Sequence, residues 1–127
     1  MWDGTTPALL IGGGSGVVPL MAMLRLARSQ PQSWVHLVVS ARAAADLIYA
    51  NELMRDDATV LYTRAAPADS VRAAGRMTAD DLKPLMRDDA SVFICGSAGF
   101  AAAASERVLE AGFAPQVIRV ERFGPTG

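Results

Sequence analysis

An apolar stretch, Ala8–Ile11, runs directly into Gly12-Gly13-Gly14-Ser15-Gly16 and then into a segment of helical character, Val17 to Arg28. A buried strand, a glycine turn and a helix in that order form the opening half of a βαβ unit. Such a unit commits a chain to parallel pairing with a crossover. Leu20, Met23, Leu24 and Ala27 share one face of the helix. Pro19 suits its first turn, where a missing N–H costs nothing. The turn is also a device for holding phosphate, because glycines let backbone N–H groups approach an anion and the helix dipole adds partial positive charge. Ser15 adds a hydroxyl donor. A tight strand-to-helix connection that merely needs glycine would read the same way, although the pattern favours phosphate. The dinucleotide fingerprint is not met: its sixth position falls on Val17 when counted from Gly12 and on Pro19 when counted from Gly14. No Gly-Lys-Ser/Thr follows, which excludes a P-loop.

The rest of the chain repeats the alternation. Val35–Val39 is a continuous apolar run, as expected of a strand buried on both faces. Asp46 reads as the N-cap of a helix to about Arg55, and Thr59–Tyr62 as a third strand. Arg64 to Arg76 reads as a loop. Thr78-Ala79-Asp80-Asp81 has capping-box spacing at the start of a helix. Ser91–Cys95 is the fourth strand, followed by the turn Gly96-Ser97-Ala98-Gly99 and an Ala-rich helix ending near Gly112. Gln116–Val120 is the fifth strand, and Glu121 to Gly127 a short tail. The expected fold is α/β: a doubly wound five-stranded parallel sheet with helices on both faces.

Composition narrows the function classes. With 127 residues, 51% apolar and 20% charged, the chain suits one domain, 1–127, with its own core. A net charge of −1 argues against a nucleic-acid surface, which needs a basic excess. No apolar run approaches the roughly 20 residues of a membrane span, and no signal peptide is evident. One cysteine allows no internal disulfide, so a reduced, cytoplasmic setting is expected. Met1-Trp2-Asp3-Gly4 leads at once into a strand, as in an excised domain.

Ligands in open α/β sheets bind beyond the carboxyl ends of the strands. There the second strand ends in Ser40-Ala41-Arg42 and the third in Thr63-Arg64, with no acid until Asp69. The acid that commonly grips a ribose 2′-hydroxyl is missing from this reading, while guanidinium forks at these ends suit a phosphate. Arg76 joins them across the loop. Each arginine taken singly reads equally well as solvated surface, but their agreement in position favours NADPH over NADH. Cys95-Gly96-Ser97-Ala98-Gly99-Phe100 is a second glycine turn on the same edge. Cys95 is open to three readings: nucleophile, metal ligand or small core residue. No second cysteine offers metal spacing, and packing is the commonest role of an isolated strand-end cysteine. No metal site is expected, and His36 reads as a strand residue rather than a base. The pairs Asp56-Asp57 and Asp88-Asp89 read as turns, and Met21, Met23, Met54, Met77 and Met86 as core filler.

Together these blocks resemble the NAD(P)-binding domain of the ferredoxin–NADP reductase superfamily, especially bacterial oxidoreductases with an FAD domain before it. The match is carried in order by Leu10 to Pro19, by Ser40-Ala41-Arg42 with Asp46-Leu47-Ile48-Tyr49 and Glu52-Leu53, and by Tyr62-Thr63-Arg64 with Gly75-Arg76. Ile94 to Phe100 and Glu121-Arg122-Phe123-Gly124 complete it. The resemblance implies that Gly13, Gly14, Ser15 and Gly16 cradle the pyrophosphate of NADP or NAD. It implies that Thr63 and Arg64 hold the 2′-phosphate, helped by Arg42 and Arg76, with Ser40 beside them. Cys95 and Gly96 would lie beside the nicotinamide at the hydride-transfer point, with Ser97, Gly99 and Phe100 completing that turn. Glu121 and Phe123 would stand near the flavin–nicotinamide junction, and Cys95 would act by position rather than covalently. The family commonly has proline where Ser97 stands, a change expected to be tolerated.

On this reading the chain is the cofactor half of an NAD(P)H-dependent flavoprotein reductase. Its partners would be an FAD domain of the same parent polypeptide and an electron acceptor that the sequence does not identify. One cysteine excludes a [2Fe–2S] module within the chain. The alternative is a non-catalytic module that senses the NAD(P) pool.

Overall fold

Alternation along the first strand divides the core in two. The computed structural model describes residues 6–30 and 34–122. In it Ala8–Gly13 forms β1, with Ala8 and Leu10 facing one side of the sheet and Leu9 and Ile11 the other. Val35–Ala41 (β2), Ala58–Tyr62 (β3), Ser91–Gly96 (β4) and Ile118–Arg122 (β5) complete a five-stranded sheet of order β3-β2-β1-β4-β5. Every pairing is parallel. The chain therefore winds outward in both directions from β1, and the strand order reverses between β1 and β4. Ligands of this class of sheet bind at such a reversal.

Val17–Arg28 is the helix α1, as its periodicity predicts, and it buries Leu20, Met21 and Leu24 against the Ala8–Leu10 face. Each such side chain contributes roughly 1.5–3 kcal/mol by leaving water. Ala98–Ala111 is α3, which buries Ala101, Ala104 and Val108 on the opposite face. Its alanines let the helix lie close to Ile94 and Leu9. Gly112 ends it at φ 115°, a left-handed cap that favours glycine. The capping box at Thr78 forms with Asp81 as predicted, but α2 covers only Ala79–Leu82 before tightening into the 3-10 turn Lys83–Leu85. Among the described residues no helix is long and apolar enough to cross a membrane.

Three expectations need correction. Asp46 caps no helix: the segment folds as the 3-10 turns Ala44–Asp46 and Ala50–Leu53, and Asp46 closes the first of them. Tyr49 stands between the turns at φ 60°, a left-handed conformation that interrupts any continuous helix. Arg25 on α1 holds it there, since its guanidinium lies 4.9 Å from the Tyr49 ring centroid and grips both Glu52 oxygens at 2.6 and 2.8 Å. The fifth strand begins two residues later than predicted, because Pro115–Val117 forms a 3-10 turn. Glu121 thus belongs to β5 rather than to a tail. Finally, Met54, at 82% exposed, and Met86, also exposed, are not core residues, whereas Met21 is fully buried.

Candidate functional site

Close packing at the carboxyl edge of β1 and β4 begins with glycine. A Cβ on Gly16 would lie 2.2 Å from the carbonyl oxygen of Cys95, so only glycine lets the start of α1 sit against the end of β4. Gly13 and Gly96 face each other across the reversal point with the Phe100 ring between them. A Cβ would come within 2.9 Å of that ring at Gly13 and within 2.7 Å at Gly96. Phe100 is therefore the floor of the crevice. Gly14 takes φ 56° with open space around it, and its neighbour Ser15 is exposed. Gly99, in the first turn of α3, meets no neighbour that would demand glycine.

The two helix N-termini at this edge differ. On α3, Ser97 is the N-cap and its hydroxyl accepts from the Phe100 N–H at 3.2 Å. On α1, the N-cap is Gly16, which offers no side-chain acceptor, and no acidic residue stands in the first turn. The 3-10 turn Gly14–Gly16 leads directly into the helix and takes up the Val17 N–H on the Gly14 carbonyl, while Gly13 before it offers no side-chain acceptor, so the N–H groups that open this turn are the ones suited to an anion.

A cleft of about 370 Å³ opens from these turns toward β2 and β3. It brings together Gly13, Gly14, Ser40, Arg42, Thr63, Ser97 and Phe100 of the predicted residues. Register explains the convergence: Gly13 pairs with Ser40, and Ala41 with Tyr62, so the strands end in step. Beyond the strands the Thr63 N–H donates to the Ala41 carbonyl at 2.8 Å and the Arg64 N–H to the Arg42 carbonyl at 3.0 Å. The side chains of Arg42, Arg64 and Arg76 are exposed and make no hydrogen bond or ion pair among the described residues. The contrast with Arg25, Arg28 and Arg87 is plain, since each of those is paired with a carboxylate. Arg64 and Arg76 lie outside the lining of the cleft itself. Sequence reasoning missed Asp46, Leu47 and Ile48, which line the same cleft. Once the Asp46 segment is not a helix it can wrap the cleft, and the signal for that lies in distant Arg25.

Cys95 and Glu121 are direct neighbours in the β4–β5 register. Cys95 is buried, and burial pushes its thiol up to about 11, with the charge of Glu121 adding to the effect. A thiol raised in this way favours its neutral form, which suits a residue that acts by position. Among the described residues no group of His, Cys, Asp and Glu is arranged to hold a metal. His36 lies at the far end of β2, buried and sharing a 2.7 Å hydrogen bond with Thr59. Phe123 lies outside the described residues.

Residues 10–106 match the model of the family described as the oxidoreductase NAD-binding domain. Flavohemoprotein A of Dictyostelium discoideum is 31% identical over 129 residues, covering 95% of this chain and 31% of its own length. The chain thus spans about a third of that relative. A flavohemoglobin from Malassezia yamatoensis, solved with bound FAD and heme, superposes with a TM-score of 0.74 at 31% identity. The match covers 98% of this chain and 33% of that one. The FAD/NAD-binding domain of nitric oxide dioxygenase from Vibrio cholerae gives a TM-score of 0.80 at 24% identity, over 98% of this chain and 54% of that one, a likeness of fold. The glycine turns, the strand order and the matched span lead to one assignment: the chain belongs to the oxidoreductase NAD-binding domain family.

Proposed function

We propose that the chain holds NADPH across the crevice between β1 and β4 and presents the nicotinamide to a flavin carried by an FAD domain of the same polypeptide. The observation that carries this reading is the glycine turn Gly14–Gly16, which has no side-chain cap, leads into α1 and packs through Gly16 onto the end of β4. A pyrophosphate at α1 then has one arm toward Cys95 and Gly96 and the other toward the cleft at Ser40, Arg42 and Thr63. The donor set fits the nucleotide: backbone N–H groups for the pyrophosphate, and guanidinium forks with hydroxyls for a phosphorylated ribose. Asp46 lines the same cleft and suits a ribose hydroxyl, but the unpaired Arg42, Arg64 and Arg76 outweigh one carboxylate.

When both cofactors are bound, hydride passes from nicotinamide C4 to flavin N5, and the chemistry is theirs. This chain contributes geometry. Phe100 closes the crevice floor, the neutral Cys95 gives the ring an apolar neighbour, and Glu121 places a carboxylate beside it on the outer strand. No side chain is required as general acid or base. The full polypeptide acts as an NAD(P)H-dependent flavoprotein reductase that passes electrons to an acceptor, in a cytoplasmic setting. Flavohemoproteins among the relatives favour that role over a free-standing nucleotide sensor.

Calorimetric titration of the chain with NADPH and NADH tests the reading. Saturable binding with NADPH tighter is expected, and Arg64→Ala should weaken NADPH about tenfold while changing NADH by about twofold or less. Equal loss for both coenzymes would remove the 2′-phosphate assignment. No binding of either would remove the pyrophosphate site on α1.

A further inference from the structure

The segment joining β3 to α2, residues 63–78, has no regular secondary structure, yet one side chain ties it together. Arg72 is partly buried, at 28% exposure of its side chain. Its Nε and Nη2 donate to the two oxygens of Asp81 at 2.7 and 2.9 Å, a bidentate fork. Nη2 also donates to the carbonyls of Arg76 at 2.9 Å and Gly75 at 3.3 Å, and Nη1 to that of Ala73 at 3.1 Å and, at the limit of reach, Tyr62 at 3.5 Å. Asp81 in turn accepts from the Thr78 N–H at 2.8 Å. One guanidinium therefore joins the end of β3, three carbonyls of the loop and the first turn of α2.

This has a consequence for charge. Arg64 is anchored through its N–H to the Arg42 carbonyl, Arg76 through its carbonyl to Arg72, and Gly75 through its N–H to the Tyr62 carbonyl at 3.0 Å. Their backbones are fixed while the guanidiniums of Arg42, Arg64 and Arg76 stay unpaired among the described residues. Left to itself a long loop bearing like charges would spread, and an arriving ligand would bear the cost of ordering it. Arg72 and Asp81 supply that order in advance. Lysine cannot replace a planar fork that serves a carboxylate and several carbonyls at once.

We propose that Arg72, held by Asp81, is the positioning residue for coenzyme selection: it sets Arg76 beside the strand-end Arg64 for a 2′-phosphate without touching the nucleotide. This rests on the function proposed above. The test titrates the chain and its variants with 2′,5′-ADP and 5′-AMP, which differ in the 2′-phosphate, alongside NADPH and NADH. Arg72→Ala is expected to weaken 2′,5′-ADP and NADPH about tenfold while leaving 5′-AMP and NADH within about twofold. Arg72→Lys should recover only part of the loss. Asp81→Asn, which keeps shape but releases the fork, should act in the same direction and serves if Arg72→Ala does not fold.

Equal loss for both classes of ligand, or no loss for the phosphorylated one, overturns the proposal. Arg64→Ala separates the two levels of inference. If it abolishes the preference for the 2′-phosphate while Arg72→Ala and Asp81→Asn preserve it, the strut assignment alone fails. If the unaltered chain shows no such preference, the underlying reading fails and takes the strut assignment with it.

Discussion

Two glycines only two positions apart do different work, and substitution separates them. Gly16 is confined by the Cys95 backbone, so Gly16→Ala must push α1 away from β4. Overpacking of this kind costs about 2–3 kcal/mol, measurable as a lowered urea midpoint with unchanged slope. Gly14 is limited by conformation alone, since φ 56° is strained for alanine while the space around it is open. Gly14→Ala should cost only about 1 kcal/mol. If the two variants proved equally stable, the close approach of α1 to β4 would be wrong, and the pyrophosphate site with it. The sequence shows the glycine cluster but not this division of labour. What separates Gly16 from Gly14 is a strand roughly 80 positions away in the sequence, which no local pattern records.

At the scale of elements, α1 was legible from its own residues because its apolar spacing, Pro19 and the preceding turn agree with one another. The segment after Asp46 was not. Its composition favours helix, but Arg25 fixes Tyr49 and Glu52 from outside and Leu53 is drawn into the core. A tertiary contact overrides propensity there. The start of β5 was misplaced for a related reason, since an exposed edge strand carries little alternation to read. For α3 the N-cap offers a direct check. Ser97 has φ −61°, close to the value a proline ring imposes, so a proline should fit there. Ser97→Ala should cost about 1 kcal/mol through loss of the hydroxyl bond to the Phe100 N–H. Ser97→Pro loses the same bond but recovers about 0.5–1 kcal/mol by restricting the unfolded chain, so it should melt at or above Ser97→Ala. A lower melting temperature would mean that the Ser97 N–H carries a bond of its own.

For the whole molecule, stability should fall as pH falls, in two separate windows. Burial holds the His36 imidazole below its ordinary value, with the charge of Asp57 opposing. Below about pH 6.5 the unfolded chain takes up a proton that the folded chain refuses, so acidification favours unfolding until the folded value is reached. The lower window belongs to carboxylates. The Arg28 hydrogen bond draws Asp57 down against its burial, and for Asp81 burial is outweighed by the bonds from Arg72 and Thr78. Their stabilisation is present above the ordinary carboxylate value of about 4 and is lost as pH drops below it. Urea unfolding from pH 8 to 3 should show a plateau, a decline below about 6.5 of at most about 1.4 kcal/mol per pH unit, and a second decline below about 4. His36→Gln should abolish the first and spare the second. Persistence of the upper decline in that variant would show that another group titrates there.

The sequence by itself determined the α/β class, the parallel sheet, α1 and the glycine turns at the carboxyl edge of the sheet. Each is written in spacing over a few residues, and spacing governs local backbone geometry. Tertiary structure decided the strand order β3-β2-β1-β4-β5, the pairing of Cys95 with Glu121, the entry of Asp46 into the cleft and the grip of Arg72 on Asp81. It also sorted the arginines into those already paired and those left free among the described residues. These features depend on which residues meet across the folded chain, and a charge or a thiol takes its character from the neighbours it meets there.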